Sequence, residues 1–217
     1  MISPFDQDYI LTKKVKKEEG ELLSPFLELS DWVEKKYDVK ILNIIFDICN
    51  DRPRIQIILE FESDKNKFHE SESINLNLEK MNAISSRFRD IIEKEKIPNF
   101  KTEKLFTIFS AFAPLAIEEA HNSISETELE DLRIDLNNNL WKIRCLFGVV
   151  TFFYETESQR IESEDDEIDL KYREAYFEII KKYDEFNYLD SKILKIEYDS
   201  KEKFDKDYNG SWFNYDR

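Results

Sequence analysis

Two hydrophobic periods alternate along the chain, one near 3.6 residues and one of two, and their order predicts mixed helix and strand. Phe26, Leu29, Trp32 and Val33 recur at helical spacing up to Tyr37, behind Ser24 as an N-cap and Pro25 at the first helical position. The period then falls to two. Leu42, Ile44, Phe46 and Ile48 share one face, and Ile55, Ile57, Leu59 and Phe61 alternate with Arg54, Gln56, Glu60 and Glu62. Joined across Asn50-Asp51-Arg52-Pro53, the two runs read as a β-hairpin. Its register is well specified, because a slip of one residue would expose a whole apolar row.

Beyond the polar stretch 63–75, Leu78, Met81, Ile84, Phe88 and Ile91 mark a helix that must stop before Pro98. Leu105, Ile108, Phe109 and Phe112 read as a further short helical face, and Pro114 opens another turn through Ala120. Ser125 and Glu128 form a capping-box pattern ahead of a leucine stripe at Leu129, Leu132 and Leu136. From Lys142 to Tyr154 both alternating rows are apolar, which suggests one centrally placed strand. A helix carrying Leu170, Tyr176, Phe177, Ile180 and Tyr183 follows, then a last strand with Leu194, Ile196 and Tyr198 on one face. No internal repeat is visible. The expected fold is a single α+β domain over residues 1–217, a mainly antiparallel sheet built from the 40–62 hairpin and strands near 142–154 and 192–198, covered by helices.

Composition narrows the function more by exclusion than by signature. Only Gly20, Gly148 and Gly210 occur, too far apart to form a phosphate-cradling loop, a nucleophile elbow or a dinucleotide fingerprint. Cys49 and Cys145 lie inside apolar runs without redox or zinc spacing, and read as reduced core residues. With only His69 and His121, a multi-histidine metal cage is impossible within one chain. Glu118 and His121 reproduce a Glu-x-x-His spacing, but the matching position before His69 is Asn66, so His121 reads as an exposed helix-end histidine and no metal or cofactor is expected. Glu34-Lys35-Lys36 imitates a nuclease element, yet it lies on a helix rather than at a strand end. The N-terminal residues resemble neither a signal peptide nor a membrane anchor, which makes the cytoplasm the expected compartment.

Charge supplies the positive expectation. The chain carries 32 Lys and Arg against 47 Asp and Glu, a net charge of −15, which repels nucleic acid and anionic membranes and favours a basic protein partner. The densest acidic run, residues 155–169, feeds the start of a helix and supplies the candidate partner-binding residues Glu162, Glu164, Asp165, Asp166 and Glu167. No catalytic residue is assigned.

The C-terminal residues Ser200-Lys201-Glu202-Lys203-Phe204-Asp205 and Tyr208-Asn209-Gly210-Ser211-Trp212-Phe213-Asn214-Tyr215 resemble the ending of small bacterial proteins, some of which accompany polymorphic toxins as immunity proteins. The resemblance covers less than a tenth of the chain and brings no catalytic residue. It implies a non-enzymatic inhibitor that neutralises a cognate toxin. On physical grounds Trp212, Phe213 and Tyr215 are expected to fold back onto the sheet, with Gly210 permitting the tight turn. Two other classes stay open. A carboxylate-dependent hydrolase would need a concave pocket with converging acids, one of raised pKa. A scaffold subunit of a homo-oligomer would need a contiguous apolar face.

Overall fold

The computed structural model describes residues 3–70, 73, 75–136, 139–163 and 166–217. The protein has the expected α+β class, and its contacts group it into two compact units, Met1–Leu115 and Ala116–Arg217. Each unit has its own three-stranded sheet and its own core.

The first unit begins with α1 (Gln7–Lys16) and α2 (Phe26–Tyr37), then the hairpin β1 (Ile41–Cys49) and β2 (Arg52–Leu59). Ser24 does not cap α2; its hydroxyl donates to Glu95 at 2.7 Å instead. Asn50 and Asp51 form the two-residue turn, both at positive φ, as Asn and Asp tolerate. A short α3 (Glu62–Asn66) and the long α4 (Leu78–Glu95) lead to β3 (Phe106–Ala111), which pairs parallel to β2. Residues 105–112, read as helical, are therefore largely strand. Thr107 and Phe109 are buried toward α4, and the Thr107 hydroxyl shares a 2.9 Å hydrogen bond with that of Ser85, so a threonine occupies the apolar row. Leu29, Val33, Ile44, Ile55, Ile57, Ile84, Phe88 and Phe109 form the first core.

α5 (Ala113–Ser123) follows β3, and the second unit continues with α6 (Glu126–Leu136). The capping box expected there is present: Ser125 and Glu128 exchange backbone-to-side-chain bonds of 3.0 and 3.2 Å. The run 142–154 is not one strand but a hairpin, β4 (Leu140–Leu146) and β5 (Val149–Tyr154), turning at Phe147-Gly148. α7 (Glu157–Glu162), α8 (Asp166–Ile180) and β6 (Lys195–Ser200) complete the sheet, with β6 parallel to β5. α9 (Lys201–Tyr208) and α10 (Trp212–Tyr215) follow. Leu132, Leu140, Ile143, Val150, Phe152, Tyr172, Tyr176 and Ile180 form the second core.

The single sheet expected from the pattern is thus two sheets, and they repeat one plan. In each, a helix leads into a hairpin, a short and a long helix cross over, and a third strand joins parallel to the second before another helix. Even an irregularity recurs: the register shifts between Ile41 and Asn43 in β1 and between Leu140 and Lys142 in β4. Aligned on that bulge, Ile44 corresponds to Ile143, Val33 to Leu132 and Asn43 to Lys142.

On the opposite face of the second sheet the chain end folds back as expected. Trp212 stacks on Trp141 with centroids 5.9 Å apart, and Tyr215 packs on Phe153 at 5.4 Å. Gly210, at φ +64, makes the turn. Phe213 departs from the expectation: it stays 69% exposed, beneath the Arg217 guanidinium. Arg144 fastens this segment by donating to both Asp216 oxygens, at 2.5 and 2.7 Å, while its guanidinium lies 4.4 Å from the Trp212 ring centre.

Candidate functional site

The charge is unevenly divided between the units. Residues 1–115 hold 18 basic and 21 acidic side chains, net −3, whereas residues 116–217 hold 14 and 26, net −12. Of the expected contact residues, Glu162 is exposed at the end of α7, where its carboxylate accepts from Ser158 at 2.8 Å, and Glu167 is exposed in the first turn of α8. Asp166 opens α8. Glu164 and Asp165 lie outside the described residues.

Other members of the acidic run have structural work. Glu157 binds Arg160 and accepts from the Ser200 hydroxyl at 2.9 Å, which ties α7 to the end of β6 and holds the carboxyl below its ordinary range, chiefly through Arg160. Asp169 accepts from Arg173 and, at 2.9 Å, from the Tyr198 hydroxyl.

A second feature has no counterpart in the sequence reading. A cleft of about 530 Å³ lies between the last turn of α5, the first turns of α6 and strand β4, lined by His121, Glu126, Leu129 and Glu130 on the helices, by Ile124 in the link between them and by Lys142, Ile143, Arg144 and Cys145 on the strand. Consecutive residues of β4 line it although their side chains alternate between faces, so the cleft runs along the strand's outer edge.

His121, expected to be exposed, is 6% exposed in the cleft wall, with Nδ1 2.9 Å from the Tyr176 hydroxyl. Burial pulls its pKa down to about 4, so the ring is neutral at neutral pH. Burial also pushes the Cys145 thiol up to about 11, against a smaller opposing effect of its contact with Tyr176, and raises the Tyr176 hydroxyl. Cys145 and Cys49 are half-buried free thiols rather than sealed core residues. At neutral pH the wall therefore presents neither a thiolate nor an imidazolium. The Glu130 carboxyl is held low, chiefly by its bonds to Arg133. Among the described residues no group of three or more His, Cys, Asp or Glu could hold a metal ion. What the cleft offers is three aliphatic side chains, Ile124, Leu129 and Ile143, set among polar and charged ones, a mixed lining that suits recognition.

The backbone of β4 adds more. Leu146 and Val149 flank a two-residue turn and form a hydrogen-bonded pair, and alternation makes Arg144 and Lys142 pair likewise with β5. The N–H and C=O of Cys145 and Ile143 point the other way, toward the cleft. The Leu140 carbonyl, on the same outward series across the bulge, is capped by Arg133 Nη1 at 2.6 Å. No hydrogen bond among the described residues ends on the outward groups of Ile143 or Cys145.

Among the described residues no helix is long and apolar enough to cross a membrane. Comparison of the chain with protein-family models, curated proteins and solved structures finds no match.

Proposed function

We propose that the chain is a non-enzymatic binding protein that docks a basic protein on its second unit, acting as an inhibitor or immunity protein that covers the working surface of a toxin. The observation that carries this reading is the division of charge, −12 against −3 in units of near-equal length. Such a field accelerates encounter with a cationic partner and orients it before contact. Among the described residues of the run, the exposed carboxylates of Glu162 and Glu167 are assigned to that first encounter. The C-terminal resemblance supports the inhibitor role.

The test starts from partner capture in the native host with a carboxyl-to-amine cross-linker, followed by stopped-flow association of the purified pair. Glu162→Lys with Glu167→Lys should slow association about tenfold at low salt and flatten its salt dependence, and should weaken protection when toxin and inhibitor are co-expressed. Association that ignores both the reversal and the salt would remove the acidic surface from the interface.

A further inference from the structure

We infer that the outer edge of β4 is a strand-addition site, and that its occupant is an extended segment of a basic protein partner. The inference names how the partner proposed above is gripped and takes its basic character from that reading, while the strand addition rests on separate observations.

The repeated plan provides an internal control. In the first unit the two outward amides at the start of the corresponding edge are capped by side chains. The Ile41 N–H donates to Glu34 Oε1 at 2.7 Å, and the Ile44 N–H donates to Asn43 Oδ1 at 2.8 Å, with the Asn43 amide held by Thr12 at 3.1 Å. Side chains that satisfy or obstruct edge groups are a recognised defence against unwanted pairing. In the second unit the residue equivalent to Asn43 is Lys142, an ammonium with no acceptor to offer an amide. Among the described residues no side chain closes the Ile143 and Cys145 groups, and both residues line the cleft.

An added strand would gain main-chain bonds from those groups and specificity from its alternate side chains. Side chains facing the cleft would meet Ile124 and Leu129 and, among its charged residues, the Glu126 carboxylate and Glu130, which Arg133 already binds. The fitting segment has an apolar residue followed two positions later by Lys or Arg. Charge favours this occupant over a second copy of the chain, because two units of net −12 repel one another whereas a basic segment is drawn to that field.

The probe is a random linear peptide library displayed on phage and panned on the full-length protein. The enriched peptide is then synthesised with a fluorophore and titrated by anisotropy. We expect enrichment of the apolar-x-Lys/Arg pattern, with amide exchange at Ile143 and Cys145 slowed about tenfold in the complex. Lys142→Asn, which restores the cap seen at Asn43, should weaken the peptide about tenfold without lowering Tm. Cys145→Pro, which deletes an outward N–H that the β4–β5 ladder does not use, should weaken the peptide too, with Cys145→Ala as the control for loss of the thiol packed on the second core. Absence of any enriched peptide, binding that leaves both amides unprotected, or equal binding to Lys142→Asn would overturn the inference. So would concentration-dependent dimerisation that protects the same amides. Glu162→Lys with Glu167→Lys separates the two readings: it alters salt-dependent association if the acidic surface steers, and leaves protection at Ile143 and Cys145 intact if the edge grips.

Discussion

The two units wind the chain along one path, yet they treat their hairpins differently. In the first, the turn is Asn50-Asp51 and the edge amides of Ile41 and Ile44 are occupied by Glu34 and Asn43. In the second, the turn places Phe147 at φ +49, and Lys142 stands where Asn43 would cap. A shared architecture therefore leaves room for opposite surface behaviour. What decides it is a handful of polar side chains beside the strand, since the buried rows are equivalent in both.

The sharpest way to break the comparison is to damage one core and watch the other. Phe88→Ala and Phe152→Ala each empty a fully buried site, with an expected cost of about 3–5 kcal/mol. Hydrogen exchange read by mass spectrometry should show lost protection confined to residues 1–115 for the first and 116–217 for the second. Loss spread evenly over the chain would mean that the two cores do not behave as separate cooperative units.

Acid offers a smaller test. His121 binds its proton far less readily in the fold, with a pKa near 4, than in the unfolded chain, near 6.5. Between those values the unfolded state holds more protons, so stability is complete above about pH 6.5 and falls as pH drops toward 4, by up to about 3 kcal/mol. Urea titrations of the wild type should lose stability across that window, and His121→Gln should flatten that part of the curve. An unchanged curve would mean that His121 is not the group responsible.

The turns give the smallest effect. Phe147 is 82% exposed and sits in the left-handed region, which a bulky residue adopts at a cost of about 1 kcal/mol. Phe147→Asn, copying the residue type that opens the first hairpin's turn, should raise Tm by a few degrees. A fall in Tm would show that the ring makes contacts that outweigh the strain.

These particulars also mark what sequence could convey. The β1–β2 hairpin, the end of α4 before Pro98, the Ser125–Glu128 cap and the fold-back of Trp212 were legible because local chemistry and pattern agree there. The second turn was hidden because a phenylalanine occupies a position where Asn, Asp or Gly would signal it. β3 was hidden because Thr107 counts as polar until Ser85, distant in sequence, supplies its partner. His121 looked exposed for the same reason, its partner Tyr176 lying 55 residues away. The repeat is hidden in the sequence because the hairpins differ in length and equivalent core positions carry different residues, as at Ile57 and Phe152. The open edge could be recognised only once Asn43 and Lys142 were aligned by that repeat.

The parallel third strands have a consequence for assembly order. A hairpin closes over a two-residue loop, whereas β3 and β6 can dock only after the whole crossover carrying α3–α4 or α7–α8 has been laid down. Nearby pairings form first because they sacrifice less chain freedom. Each nascent sheet should thus pass through a two-stranded stage in which β2 or β5 is briefly bare, the moment at which this molecule is most exposed to misassociation during synthesis.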